Sequence, residues 1–246
     1  MEVHSHTHTE RKRFIHYLWE FLMLFLAVFC GFLAENFREH TIEQKREKQY
    51  ISSLVKDVEL DIASLKLSSD IKKKYCNYFD SVVFLLKQNN PATRNDLYFY
   101  ARHLARITEF EYHDRTIQEL KSTGSLRLIH DRRAADSITI YDNEIVKVIL
   151  NQQEIERQQR SDFLANQIGK IFNGYIWNDM VDNKGTISHT SGNPELATTN
   201  QQLLNDFVVH VVQLKTSYRI TEGHIGTAIM KAESLIAFLK KEYQLE

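Results

Sequence analysis

The chain has 246 residues, room for one sizeable domain with or without an anchor, and 31 Lys and Arg against 32 Asp and Glu give a formal net charge of -1. Both signs mix along every segment, so the basic stripe of a nucleic-acid binder is absent and no nucleic-acid partner is expected. At 43% apolar and 26% charged residues the chain reads as folded, and 8 Gly with 2 Pro supply too few turns for a sheet protein, which makes the expected fold class all-α.

Residues 1–14 read as a short polar cytoplasmic tail. His4, His6 and His8 alternate there, but with no cysteine ligand beside them they suggest a disordered segment rather than a metal site. Residues 15–34 form a stretch broken only by His16 and Glu20, and 20 helical residues at about 1.5 Å each cross the ~30 Å hydrocarbon core. Bulky Phe32 before Ala34 and Phe29 before Cys30 argue against cleavage by a signal or lipoprotein peptidase, so the helix is expected to remain as an anchor in the inner membrane. Arg11, Lys12 and Arg13 cluster on the short tail, which predicts a cytoplasmic N-terminus and an extracytoplasmic domain; Tyr17, Trp19 and Phe37 suit the two interfacial belts.

One stripe of this helix differs from the rest. His16, Glu20, Ala27, Gly31 and Glu35 share a face, and Ala27-xxx-Gly31 is a small-xxx-small pair that allows close approach of another helix. Two readings stand. Either this is a contact face on which Glu20 meets a polar partner, or Glu20 snorkels to the headgroups and pairs with His16 on its own helix.

Residues 35–246 read as an extracytoplasmic helical domain, an elongated antiparallel bundle into which the membrane helix continues. A first helix runs from Glu35 to about Gln88. Ile51, Leu54, Val58, Ile62 and Leu65 give it an apolar stripe, which resumes after a slip near Ser69 as Ile71, Tyr75, Tyr78, Val82 and Leu85. Asn89-Asn90-Pro91 ends it. Cys30 in the apolar run and Cys76 in this helix are too few for a disulfide framework and read as unpaired thiols.

Two shorter helices are predicted over Asp96 to about Arg106 and Asp114 to about Ser122, the second stopped by Gly124. Leu126, Leu128 and Ile129 cross a corner, and Asp131 caps a helix running to about Trp177. The middle of that helix, Asn151 to Asp162, has Ile155 as its only aliphatic residue and is expected to be solvated or to meet an unseen partner. Asp179 to Pro194 is the longest irregular segment, a binding loop or a mobile one.

The last helix carries a heptad seam. Leu204, Val211, Tyr218, Ile225, Ala232 and Leu239 repeat every seven residues, with Phe207, Leu214, Thr221, Ala228 and Leu235 in parallel. Burial against the first helix is the expected use of that seam. Gly223 and Gly226 inside it suggest a kink.

Two stretches together resemble a family of uncharacterised single-pass membrane proteins, a domain of unknown function found mainly in Bacteroidota. The first is the membrane helix with Glu20 at its start and an Asn-aromatic-x-Glu exit at Asn36, Phe37 and Glu39. The second is Glu119-Leu120-Lys-Ser-Thr-Gly124-Ser-Leu126-Arg127-Leu-Ile129, similar to that family's central motif. The chain departs from the pattern at Phe37, usually Trp, and at Ala27, usually Gly. The resemblance implies an inner-membrane anchor with an extracytoplasmic helical domain; it implies no activity.

No nucleophile elbow, phosphate loop, dinucleotide fingerprint, His-Glu-x-x-His or Cys-x-x-Cys is present, so no enzyme and no cofactor is expected. His113 to Arg115 and His130 to Arg133 sit at helix starts, where capping explains them. The leading expectation is an interaction or scaffold protein that docks a protein partner or a second copy beside the lipid bilayer. The alternatives are a ligand-sensing bundle acting through a separate transducer, and an ion-path subunit using Glu20.

Overall fold

A computed structural model describes residues 14–106 and 108–245, so the histidine-bearing tail lies outside the described residues. The fold is all-α. The chain divides into two units, Met1–Gln49 and Tyr50–Glu246, and one unbroken helix, α1 (Phe14–Gln88), supplies residues to both. In the first unit every described residue up to Ile42 is exposed, including Leu24 at 68% and Phe32 at 69%. This stretch is long and apolar enough to cross a membrane, with an 18-residue window of mean hydropathy 2.0 and none of it buried.

Within the second unit, α1 stops at Asn89, which takes the left-handed conformation (φ 47°) that Asn tolerates better than most residues. The Asn90 side chain then caps a 3₁₀ turn, Pro91–Thr93, leading into α2 (Arg94–Leu104). Next come α3 (Arg115–Ser122) and a 3₁₀ turn, Ser125–Leu128, with Gly124 between them at φ 67°. Asp131 starts α4 (Arg132–Glu144), its carboxylate accepting the Arg133 N–H at 2.8 Å.

The single helix expected from Asp131 to Trp177 is instead segmented. A π-helical stretch, Ile145–Leu150, joins α4 to α5 (Asn151–Phe163), and a second, Leu164–Ile168, joins α5 to the short α6 (Gly169–Ile171). The helix breaks at Phe172, whose extended backbone lets Asn173 cap α7 (Gly174–Asp179). The following loop is tied down: the Asn95 side chain exchanges two hydrogen bonds with the Thr190 backbone (2.9 and 3.0 Å), and Tyr98 donates to the Glu195 carbonyl at 3.0 Å.

The last helix, α8 (Gln201–Glu242), is continuous through Gly223 and Gly226. Of the two predicted heptad rows, every member except Leu204 is buried. α8 runs antiparallel to α1, and four ion pairs at its margin hold the two in register. Glu59 meets Lys240 (3.1 Å), Lys66 meets Glu233 (3.7 Å), Lys73 meets Glu222 (3.3 Å) and Asp80 meets Lys215. Such pairs, with at least one partner well exposed, contribute about 0–1 kcal/mol each, so they set register more than stability.

The interior is not one apolar core but two. One cluster gathers Ile51 to Leu65 of α1, α3, α4 and Ile225 to Leu239 of α8; the other gathers Cys76 to Val82 of α1, α2, Phe163 to Phe172 and Phe207 to Tyr218 of α8. Between them lies a polar layer: Ser68 and Lys72 of α1, Gln153, Glu156 and Arg160 of α5, and Thr221 of α8, each below 5% exposed. The expected slip of the α1 stripe near Ser69 therefore does not occur. The buried face runs on through Ser68, Lys72, Cys76 and Phe79, and it reads as a slip only because Ser68 and Lys72 are polar.

Candidate functional site

The residues singled out from the sequence fall into two sets. On the first unit's helix, His16, Glu20, Ala27, Gly31 and Glu35 are all exposed, as are Asn36 and Glu39. The His16 Nε2 lies 3.1 Å from the Glu20 carboxylate one turn on, and Arg38 donates to Glu35 at 3.0 Å. A Cβ placed on Gly31 would meet nothing within 4 Å, so this face is sterically open to a neighbour.

The second set, around Glu119 to Ile129, is built into the bundle. Leu120 is fully buried, Ile129 is 5% exposed, and Leu126 packs on the same core. Glu119 accepts the Tyr50 hydroxyl at 3.0 Å, while its carbonyl accepts the Thr123 hydroxyl at 2.7 Å. Gly124 is needed because a positive φ follows the last turn of α3. Arg127 is exposed. This motif is a corner that joins α3 to α4, and its residues hold that corner.

Around it stands a network of buried hydrogen bonds not foreseen from the sequence. Asp57 and Asp61 lie one turn apart on α1, 7% and 1% exposed. Asp57 accepts the backbone N–H of Thr116 (3.1 Å), and Asp61 accepts the backbone N–H of His113 (2.8 Å). The α3 N-cap residue, Asp114, makes no capping bond of its own, so α1 caps α3 from a distance. Asp61 also receives the Tyr141 hydroxyl (2.9 Å) and faces His113 Nδ1 (3.0 Å). Burial pushes its carboxyl above the ordinary range, against the pull of those donors. Asp142 takes the Tyr112 hydroxyl at 2.9 Å and the Lys121 ammonium. Burial first, and then the adjoining carboxylates, raise both Tyr112 and Tyr141, which stay protonated as donors. Asp57 and Asp61 carry a signal in the sequence, two carboxylates four apart inside an apolar stripe.

In the polar layer between the cores, Lys72 donates to Glu156 at 2.5 Å, and Thr221 donates to the other Glu156 oxygen. Gln153 reaches the Phe110 carbonyl at 3.5 Å. The stretch expected to be solvated is thus turned inside out. Gln153, Glu156 and Arg160 face inward while Ile155 is 45% exposed. Their i, i+3, i+7 spacing is the face of a helix whose buried residues happen to be polar.

Cys76 is buried and free, with burial pushing its thiol up, and Cys30 is exposed and free. No protein-family model, no curated protein and no solved structure matches the chain.

Proposed function

We propose that the chain is a membrane-anchored, non-enzymatic interaction protein, in which one lipid-embedded helix segment holds a helical domain that docks a protein partner or a second copy. The observation that carries this reading is the wholly exposed apolar stretch of α1. Each large apolar side chain left in water forgoes about 1.5–3 kcal/mol, and more than a dozen do so between Phe14 and Phe37. Lipid removes that penalty. The clustered Arg11, Lys12 and Arg13 favour a cytoplasmic N-terminus with the helical domain outside the inner membrane. Membership of the Bacteroidota single-pass family belongs to the same proposal.

The face formed by His16, Glu20, Ala27, Gly31 and Glu35 is the proposed contact surface, with the space beside Gly31 admitting a second helix. A non-enzymatic role is supported by the buried carboxylates. Asp57, Asp61, Asp142 and Glu156 each bond to helix ends, tyrosines, a threonine or lysines. Carbonate extraction of native membranes tests the anchor: the chain should stay in the pellet, and release into the supernatant would overturn the reading. Photo-cross-linkers at Ala27 and Gly31 should capture one discrete protein neighbour, whereas at Leu22 and Phe29, on the opposite surface, they should not.

A further inference from the structure

The polar layer holds more positive charge than it answers. Lys72 and Arg160 are 1% and 2% exposed, and Glu156 is the one buried carboxylate among them. Both Glu156 oxygens are engaged, one by Lys72 and one by Thr221. The Nε and Nη2 of Arg160, which together make one two-pronged edge of the guanidinium, are buried with no hydrogen-bond partner. The Tyr218 hydroxyl, in a side chain 0% exposed, has none either. These groups converge on one ring: Lys72 Nζ lies 4.3 Å and Arg160 Cζ 5.5 Å from the Tyr218 centroid. Gln159 Oε1, also without a partner, is neutral and leaves the excess charge uncancelled. Arginine cannot shed its proton; Glu156 and Glu109 act on the Arg160 charge, but neither accepts a hydrogen bond from the Nε/Nη2 edge, and buried donors left without an acceptor are expensive.

We propose that this layer is the binding site of one small oxyanion, a carboxylate or phosphate-type group gripped by the Nε/Nη2 edge of Arg160 and hydrogen-bonded by the Tyr218 hydroxyl. Two parallel N–H groups match two oxygens of one ligand better than a spherical halide. The donors are sealed from solvent, so entry parts the seam between α5 and α8. The two π-helical stretches that bracket α5 are where the helix gives.

The test uses the full chain in detergent micelles, with thermal unfolding followed by circular dichroism at constant ionic strength. Formate and inorganic phosphate are titrated in separate arms against chloride. A saturable rise in Tm with formate, phosphate or both, absent with chloride, is expected, and the responding arm identifies the oxyanion. Arg160→Met should lose the saturable rise, and Tyr218→Phe should raise the half-saturating concentration roughly five- to tenfold, the loss of one hydrogen bond. No saturable rise with either oxyanion, an equal rise with chloride, or an unchanged response in Arg160→Met would overturn the proposal. If Arg160→Met does not fold, Tyr218→Phe decides alone: an unchanged half-saturation overturns the site.

Discussion

Lys72 and Glu156 meet at 2.5 Å across the waist of the bundle, 84 residues apart in sequence, with both side chains almost wholly buried. Burial lowers the Lys72 pKa, and the carboxylate beside it opposes that pull. Because Arg160 lies in the same layer, the two partners are not equivalent. Removing the carboxylate leaves two buried cations together, whereas removing the lysine leaves one cation and one anion.

The stability cost should therefore be lopsided. Glu156→Gln should cost about 3–5 kcal/mol, the range for breaking a buried pair, and Lys72→Met about 1–2 kcal/mol, the range for a lost hydrogen bond. Urea unfolding of the full chain in micelles measures both. Equal costs would show that Arg160 does not share the charge of Glu156.

The remote cap on α3 gives a local prediction. Asp57→Ala should cost about 1–2 kcal/mol, as cap losses do. Its signature should be faster amide exchange at Thr116, whose N–H the carboxylate accepts. Exchange at Val82, in the other core, should stay as it was.

At Gly124 the strain is of backbone origin alone. An added Cβ would meet nothing within 4 Å, yet φ is 67°. Gly124→Ala should lower stability by about 1–2 kcal/mol and Gly124→Asn by less, since Asn visits that conformation. Thermal midpoints of the two variants check the order.

His103 predicts how the fold responds to acid. Its Nδ1 lies 2.9 Å from the Phe99 carbonyl, and burial chiefly, with Arg106, Lys74 and Arg102 nearby, pulls its pKa down. A histidine lowered in the folded state binds its proton less readily than in the unfolded chain. Stability is therefore unaffected above the unfolded pKa, about 6.5, and falls as pH drops from there to the folded pKa. His103→Asn should flatten the slope of Tm against pH below about 6.5. A slope unchanged by the substitution would assign it to other groups.

Much of the architecture was legible from the residues. The heptad rows of α8, the end of α1 at Asn89, the turn at Gly124 and the cap at Asp131 all follow from local rules that involve near neighbours only. What could not be read depends on partners far away in sequence. Lys72 looks like a surface lysine until Glu156 is placed beside it, and Ile155 looks like a core residue until the polar face of α5 turns inward. The break at Phe172 is similar: the Asn173 N–H beside it is accepted by the Tyr98 hydroxyl of α2, 75 residues away, and no proline marks the place. On the stripe of His16, Glu20, Ala27, Gly31 and Glu35, the pairing of His16 with Glu20 was one of two readings open from the sequence, and i, i+4 neighbours on a helix meet without outside help.

The charges along the margin of α1 and α8 have a further property. Reading along α1 from Glu59 through Lys66 and Lys73 to Asp80, the signs are mirror-symmetric, and so are those from Lys215 through Glu222 and Glu233 to Lys240, with equal outer gaps within each helix. Flipping one rod end for end would leave every opposite sign facing its complement. The ladder thus measures alignment but is blind to polarity, and an off-centre contact must supply the arrow. Thr221 does so: end-for-end inversion would carry it about 20 Å away from Glu156, at 1.5 Å for each of the 13 positions it would move.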